Sequence, residues 1–150
     1  YKKSLEIMKL AYANDPNHPN IASSLNNIAS VYSDKGDYEK ALELYKKSLE
    51  MRKLAYANDP NHPDIASSLN NIANVYSKKG DYEKALELYK KSLEIMKLAY
   101  ANDPNHPNIA SSLNNIASVY SDKGDYEKAL EFYKKSLEIM KLAYANDPNH

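Results

Sequence analysis

Apolar and small residues fall in two blocks of helical spacing, separated by a break, and the two-block unit then repeats. In the first block Leu25, Ile28, Ala29 and Tyr32 step by three, one and three, which puts them on one face of a helix. Lys35-Gly36-Asp37 interrupts the pattern. Gly36 suits the left-handed residue that ends a helix, and Asp37 suits the cap that starts the next. Tyr38, Ala41, Leu42, Tyr45 and Leu49 resume the period and carry it to Tyr56. The spacing predicts two antiparallel helices, a short one over about 21–34 and a long one over about 38–57. Leu49, Leu54 and Tyr56 are expected on the buried side of the long helix.

The stretch that starts at Leu25 recurs from Leu69 and from Leu113, a period of 44 residues. Such a period marks a stacked array in which each unit buries its apolar face against its neighbours. Three units are expected, 19–62, 63–106 and 107–150, after a partial unit 1–18 that is identical to 133–150. They differ pairwise at only three to five positions. The six varying columns are Asn20/Asp64/Asn108, Ser30/Asn74/Ser118, Asp34/Lys78/Asp122, Leu44/Leu88/Phe132, Met51/Ile95/Ile139 and Arg52/Met96/Met140. They are expected to be mostly scattered drift. Residues 1–18 begin inside a helix and His150 falls in a linker, so the chain is expected to be an excerpt with uncapped ends. Unlike but complementary end surfaces lead to the expectation of head-to-tail self-association.

The linker between units reads Asn-Asp-Pro-Asn-His-Pro, as in Asn58 to Pro63. A residue that precedes proline is pushed out of helical geometry, so Asp15, Asp59 and Asp103 should end the long helix or follow its end. Pro19, Pro63 and Pro107 suit the first turn of the short helix, and the preceding His or Asn can cap it.

The pattern Leu25-x2-Ile28-Ala29-x2-Tyr32-x5-Tyr38-x2-Ala41-x3-Tyr45-x2-Ser48 resembles the tetratricopeptide repeat. Leu stands for the usual Trp, Ala for Gly and Tyr for Phe; the proline soon after the second helix is missing. The longer second helix and its linker are similar to the kinesin light chain type. The resemblance implies an all-α, right-handed superhelical solenoid of antiparallel helix pairs, with the short helices lining a concave groove. It also implies a non-catalytic scaffold that binds an extended peptide or protein partner in that groove.

Composition narrows the chemistry. Lys plus Arg and Asp plus Glu stand at twenty each, so no net basic charge exists to attract nucleic acid or an anionic membrane. No stretch of eighteen apolar residues reads as a membrane span and no secretory signal opens the chain, so a cytoplasmic protein is the default expectation. Cysteine is absent, which excludes disulfides and thiol chemistry. One His per unit, at repeats stacked about 10 Å apart, lies too far from the next to share a metal ion. Glu39, Glu43 and Glu50 alternate with Lys40, Lys46, Lys47 and Lys53, which reads as a solvated face with pairs three or four apart. No metal, cofactor or enzymatic activity is expected. The fourteen Tyr are read mostly as core, with hydroxyls reaching water or a carbonyl.

The candidate site lies on the short helices. By the resemblance, Ser23, Asn26, Asn27, Ser30, Ser33 and Asp34 face the groove. Their counterparts are Asn70, Asn71, Asn74 and Lys78 in the second unit, and Asn114, Asn115, Ser118 and Asp122 in the third. An amide carries a donor and an acceptor and can pair with a peptide backbone as a strand would. Asn27, Asn71 and Asn115 match the asparagine ladder of related superhelices. The alternative is that these Asn bond to neighbouring helices or to one another. The Lys and Arg with which some members grip a terminal carboxylate are replaced here by Ser and Asn. A structural spacer or self-associating array without a peptide ligand is the second functional reading.

Overall fold

A computed structural model describes residues 2–11 and 18–145. Among them are seven α-helices and no strand: α1 (Lys2–Ala11), α2 (Pro19–Asp34), α3 (Tyr38–Ala55), α4 (Pro63–Lys78), α5 (Tyr82–Ala99), α6 (Pro107–Asp122) and α7 (Tyr126–Ala143). Substantial packing joins helices that are consecutive in the chain. α2 with α3, α4 with α5 and α6 with α7 form tight pairs, and each long helix then rests on the next short one. The result is an all-α solenoid.

Each pair turns at a glycine with φ of 85–87°, where a side chain would be strained, and an aspartate follows it. Asp37, Asp81 and Asp125 each accept a hydrogen bond from the backbone N–H three residues on. That satisfies one of the orphan donors at a helix start.

The short helices begin two residues earlier than the apolar period suggests, at Pro19, Pro63 and Pro107. Proline at the first position loses no bond there, and the Nδ1 of the preceding His accepts from the N–H two residues later. His62 and His106 also stack on Tyr56 and Tyr100, with ring centroids 3.7 and 3.8 Å apart. These His are helix caps. The long helices stop at Ala55, Ala99 and Ala143 rather than reaching 57. Asp59 and Asp103 follow that end, as proline after them requires, and their N–H groups turn back to the Tyr56 and Tyr100 carbonyls. Asp15 and His150 lie outside the described residues.

The cores lie inside each pair and at each junction. Ala29, Ala41, Ala73 and Ala85 are fully buried, which lets paired helices approach closely. Ser48, Ser92 and Ser136 are buried beside them and donate to the carbonyls of Ala22, Ala66 and Ala110 at 2.9–3.0 Å. Leu49 is buried as expected, but Leu54 is 61 % exposed and Leu98 59 %. The inward stripe of α3 runs through Leu49 to Arg52, which turns Leu54 outward. Leu5 is buried against Ile21, Leu25 and Ile28 of α2.

Candidate functional site

Seven residues of α4, α5 and α6 line a cavity of about 260 Å³ at the short-helix face, among them Asn74, Lys78, Tyr89, Asn115 and Ser118. Four of them are candidates from the sequence. α4 offers Asn74 and Lys78 four residues apart, so they share a face. α6 answers with Asn115 and Ser118 at the same kind of spacing. Tyr89 reaches in from α5, 4 % exposed, and its hydroxyl donates to Asn74 Oδ1. Burial, together with the negative charge of Asp122, pushes the Tyr89 hydroxyl up to about 12, so it stays a donor at neutral pH. In the preceding unit Tyr45 pairs with Ser30, whose bond lowers its hydroxyl, but burial is the larger effect and raises it overall. Two of these tyrosine hydroxyls therefore reach groove side chains, not the water or carbonyl expected of them.

Among the described residues Lys78 is the one cation lining the cavity. Its Nζ lies 3.3 Å from Ser33 Oγ and 3.8 Å from Asp34 on α2. Both charged side chains are about half exposed or more, so solvent weakens the pair. Asn27 is exposed and Asn71 half-buried, on the same helices.

The Asn26 column behaves differently. With its amide oriented by its hydrogen bonds, Asn26 donates to Ser48 Oγ at 2.8 Å and accepts from both terminal nitrogens of Arg52 at 3.1 and 3.3 Å. It belongs to the packing of α2 on α3. Arg52 is 8 % exposed and also donates to the Asp64 carbonyl and to Ser68 Oγ, both at 2.9 Å. Its Nε finds no partner among the described residues. At the next junction Met96 stands where Arg52 does and has no donor, and there Asn70 Oδ1 is buried without a partner among the described residues. Asn114 is simply exposed.

Four of the six varying columns therefore cluster in space rather than scatter. Asn74, Lys78 and Ser118 meet in the cavity. Arg52 and Asp64 meet at the α3–α4 junction, where the Asp64 carboxylate accepts from the Tyr56 hydroxyl at 2.9 Å. Every other junction pairs Met with Asn: Met8 with Asn20, and Met96 with Asn108. That concerted change, twelve residues apart, is the signal in the sequence that exposes Arg52; nothing marked Tyr89 apart from the other tyrosines.

Two larger notches of about 540 and 590 Å³ lie between the ends of successive long helices and the linkers. Their floors are apolar, Tyr100, Pro104, Ile109 and Leu113 in one and Tyr56, Pro60, Ile65 and Leu69 in the other, and the lining polar groups are rim Lys and Glu. Among the described residues no three His, Asp or Glu converge as metal ligands would, and no helix is long and apolar enough to cross a membrane.

The family model described as Tetratricopeptide repeat matches residues 1–53, 55–98 and 64–141. The chain belongs to the tetratricopeptide repeat family. Solved structures agree on the fold. BtubC (BKLC) from P. vanneervenii is 21 % identical with a TM-score of 0.77, over 97 % of this chain and 57 % of that one. A putative kinesin light chain of nearly identical TPR-like repeats from Podosopora anserina is 24 % identical with a TM-score of 0.67, over 81 % and 56 %. The TPR domain of Arabidopsis FLU is 20 % identical with a TM-score of 0.65, over 81 % and 95 %. The chain thus spans a little over half the length of the first two. No curated protein matches it. Tetratricopeptide repeats are generally protein-interaction scaffolds without catalytic activity.

Proposed function

We propose that the chain is a non-catalytic scaffold that binds an extended peptide along its short helices. The convergence of Asn74, Lys78, Asn115 and Ser118 from successive short helices on one open polar cavity carries this reading. Asn27, Asn71 and Asn115 extend the same polar line, one amide per unit, and each can pair with a backbone N–H and carbonyl. Such a ladder matches a peptide's main chain without demanding a particular sequence. A random peptide library panned on the parent chain should yield binders, and the triple variant Asn27/Asn71/Asn115→Ala should lose most of them while keeping its helical circular dichroism. Equal recovery on both proteins would refute the ladder.

Self-association is a second reading, favoured by one observation. Leu86, Tyr89 and Leu93 are 4–7 % exposed where α5 rests on α6, but their counterparts Leu130, Tyr133 and Leu137 on α7 are 41–55 % exposed. A short helix of this same sequence fits that face. In a second copy, α2 has α1 on the corresponding side, and α1 repeats the sequence of the α7 C-terminal half. Docking between copies would therefore displace or fray one of the two, or seat the copies with an offset. Sedimentation velocity over a hundredfold concentration range should show growing assemblies that Leu137→Glu abolishes; a constant monomer would remove this reading.

A further inference from the structure

Apolar packing in this array cannot tell one unit from the next. Leu42, Tyr45 and Leu49 of α3 share a core with Ile65, Leu69 and Ile72 of α4. Leu86, Tyr89 and Leu93 of α5 share one with Ile109, Leu113 and Ile116 of α6, the same residue types 44 positions on. Docking of α3 on α6 with the second unit looped out, or on a short helix of a second copy, would therefore bury the same side chains. The longer loop adds little cost, because closure entropy grows slowly with length.

Charge distinguishes what the apolar core does not. Arg52 is buried, and its guanidinium donates to the Asp64 carbonyl in the first turn of α4. The start of a helix is the positive end of its dipole, so a cation held there out of water needs an anion beside it. α4 supplies that anion in the Asp64 carboxylate, which is fixed by the Tyr56 hydroxyl at 2.9 Å. α2 and α6 have no acid in their first turns; Asn20 and Asn108 stand there, matched by Met8 and Met96 in place of Arg52. A weaker contact acts in the same sense. Lys78 of α4 lies 3.8 Å from Asp34 of α2, whereas a skip to the third unit would set Asp122 against Asp34, a like charge.

We propose that Arg52 and Asp64 form an address: they make the start of α4 a docking surface for α3 and keep α3 off the other short helices, whether of this chain or of a second copy. Near-identical units are thereby held in order. Arg52 brought to α6, or to α2 of another chain, would bury its charge against a helix start that carries Asn instead of Asp. The discrimination comes from the cost of the wrong partner, not from extra strength of the right one. It is therefore separable from stability, since methionine and asparagine serve the other junctions without a charge.

The test refolds the full chain from urea at low and high concentration and compares four proteins. They are the parent; Arg52→Met/Asp64→Asn, without the address; Asp64→Asn/Asn108→Asp, which offers Arg52 its carboxylate on α6; and Arg52→Met/Asp64→Asn/Met96→Arg/Asn108→Asp, with the pair moved one junction on. In the last, the new Arg can reach Asn70 Oδ1, which is buried without a partner among the described residues. Two readouts report misdocking. Size exclusion after dilution detects copies that have exchanged units, because simple end contacts dissociate on dilution. Hydrogen exchange detects a looped-out second unit as lost protection of α4 and α5. The misdocked fraction should rise about tenfold without the address, rise further when the carboxylate sits on α6, and return to the parent level with the moved pair. Equal fractions in all four proteins would overturn the address. So would a rise that the moved pair fails to reverse, which would leave Arg52 as packing only, or a misdirected protein no worse than the unaddressed one.

Discussion

Arg52→Ala is expected to lower the stability of the array by about 3–5 kcal/mol, while Arg52→Met combined with Asp64→Asn leaves it at or above the parent value. The guanidinium is 8 % exposed at the meeting of α2, α3 and α4. It bonds the Asp64 carbonyl, Ser68 and Asn26. Truncation to alanine opens a cavity the size of the side chain and strips those acceptors of their donor at once. Each buried polar group left unpaired costs about 1–3 kcal/mol. Methionine refills the volume and removes a charge that is expensive to keep out of water, and asparagine then matches the neighbouring junctions. The Asn26 carbonyl would be left as Asn70 is now. Urea unfolding of the three proteins is the measurement. If alanine and the methionine–asparagine pair were equally stable, neither the network nor the packing at Arg52 would matter to this junction.

Ala85→Leu should cost about 1–3 kcal/mol by overpacking the crossing of α4 and α5. Ala85 has no exposed surface and shares a core cluster with Ala73, Leu86 and Tyr89. Two alanines bring the helices together there, and neighbouring Ser92 reaches the Ala66 carbonyl at 3.0 Å only because the backbones are close. Three added carbons must push α4 away or force strained rotamers, and separation would stretch that buried bond as well. Lys84→Leu, on the exposed side one residue earlier, is the control and should change stability by less than about 0.5 kcal/mol. A chemical denaturation midpoint for Ala85→Leu no lower than that of the control would show that the crossing can yield.

Helix pairs, turns and caps were legible from local order. The period of Leu25, Ile28, Ala29 and Tyr32, the φ of Gly36 and the cap at Asp37 depend on residues within a few positions of each other, and near-identical units say the same thing three times. Helix limits were less legible. The apolar period alone starts the short helix late, although the linker already marked the proline start and the histidine cap, and the paired turns of the linker end the long helix early.

The sequence by itself determined the repeat, its two helices, the family and the polar character of the short-helix face. Tertiary structure alone decided which of those polar residues share a space. Asn26 and Asn27 are adjacent in the chain, yet a helix turns about 100° per residue, so one locks α2 to Arg52 while the other stays exposed. Asn74 and Ser118 stand one whole unit apart, and only the stacking of α4, α5 and α6 brings them to one cavity around Tyr89. Local propensity acts over one turn of helix, whereas the site is made by contacts between units, whose geometry is set by the volumes packed at each junction.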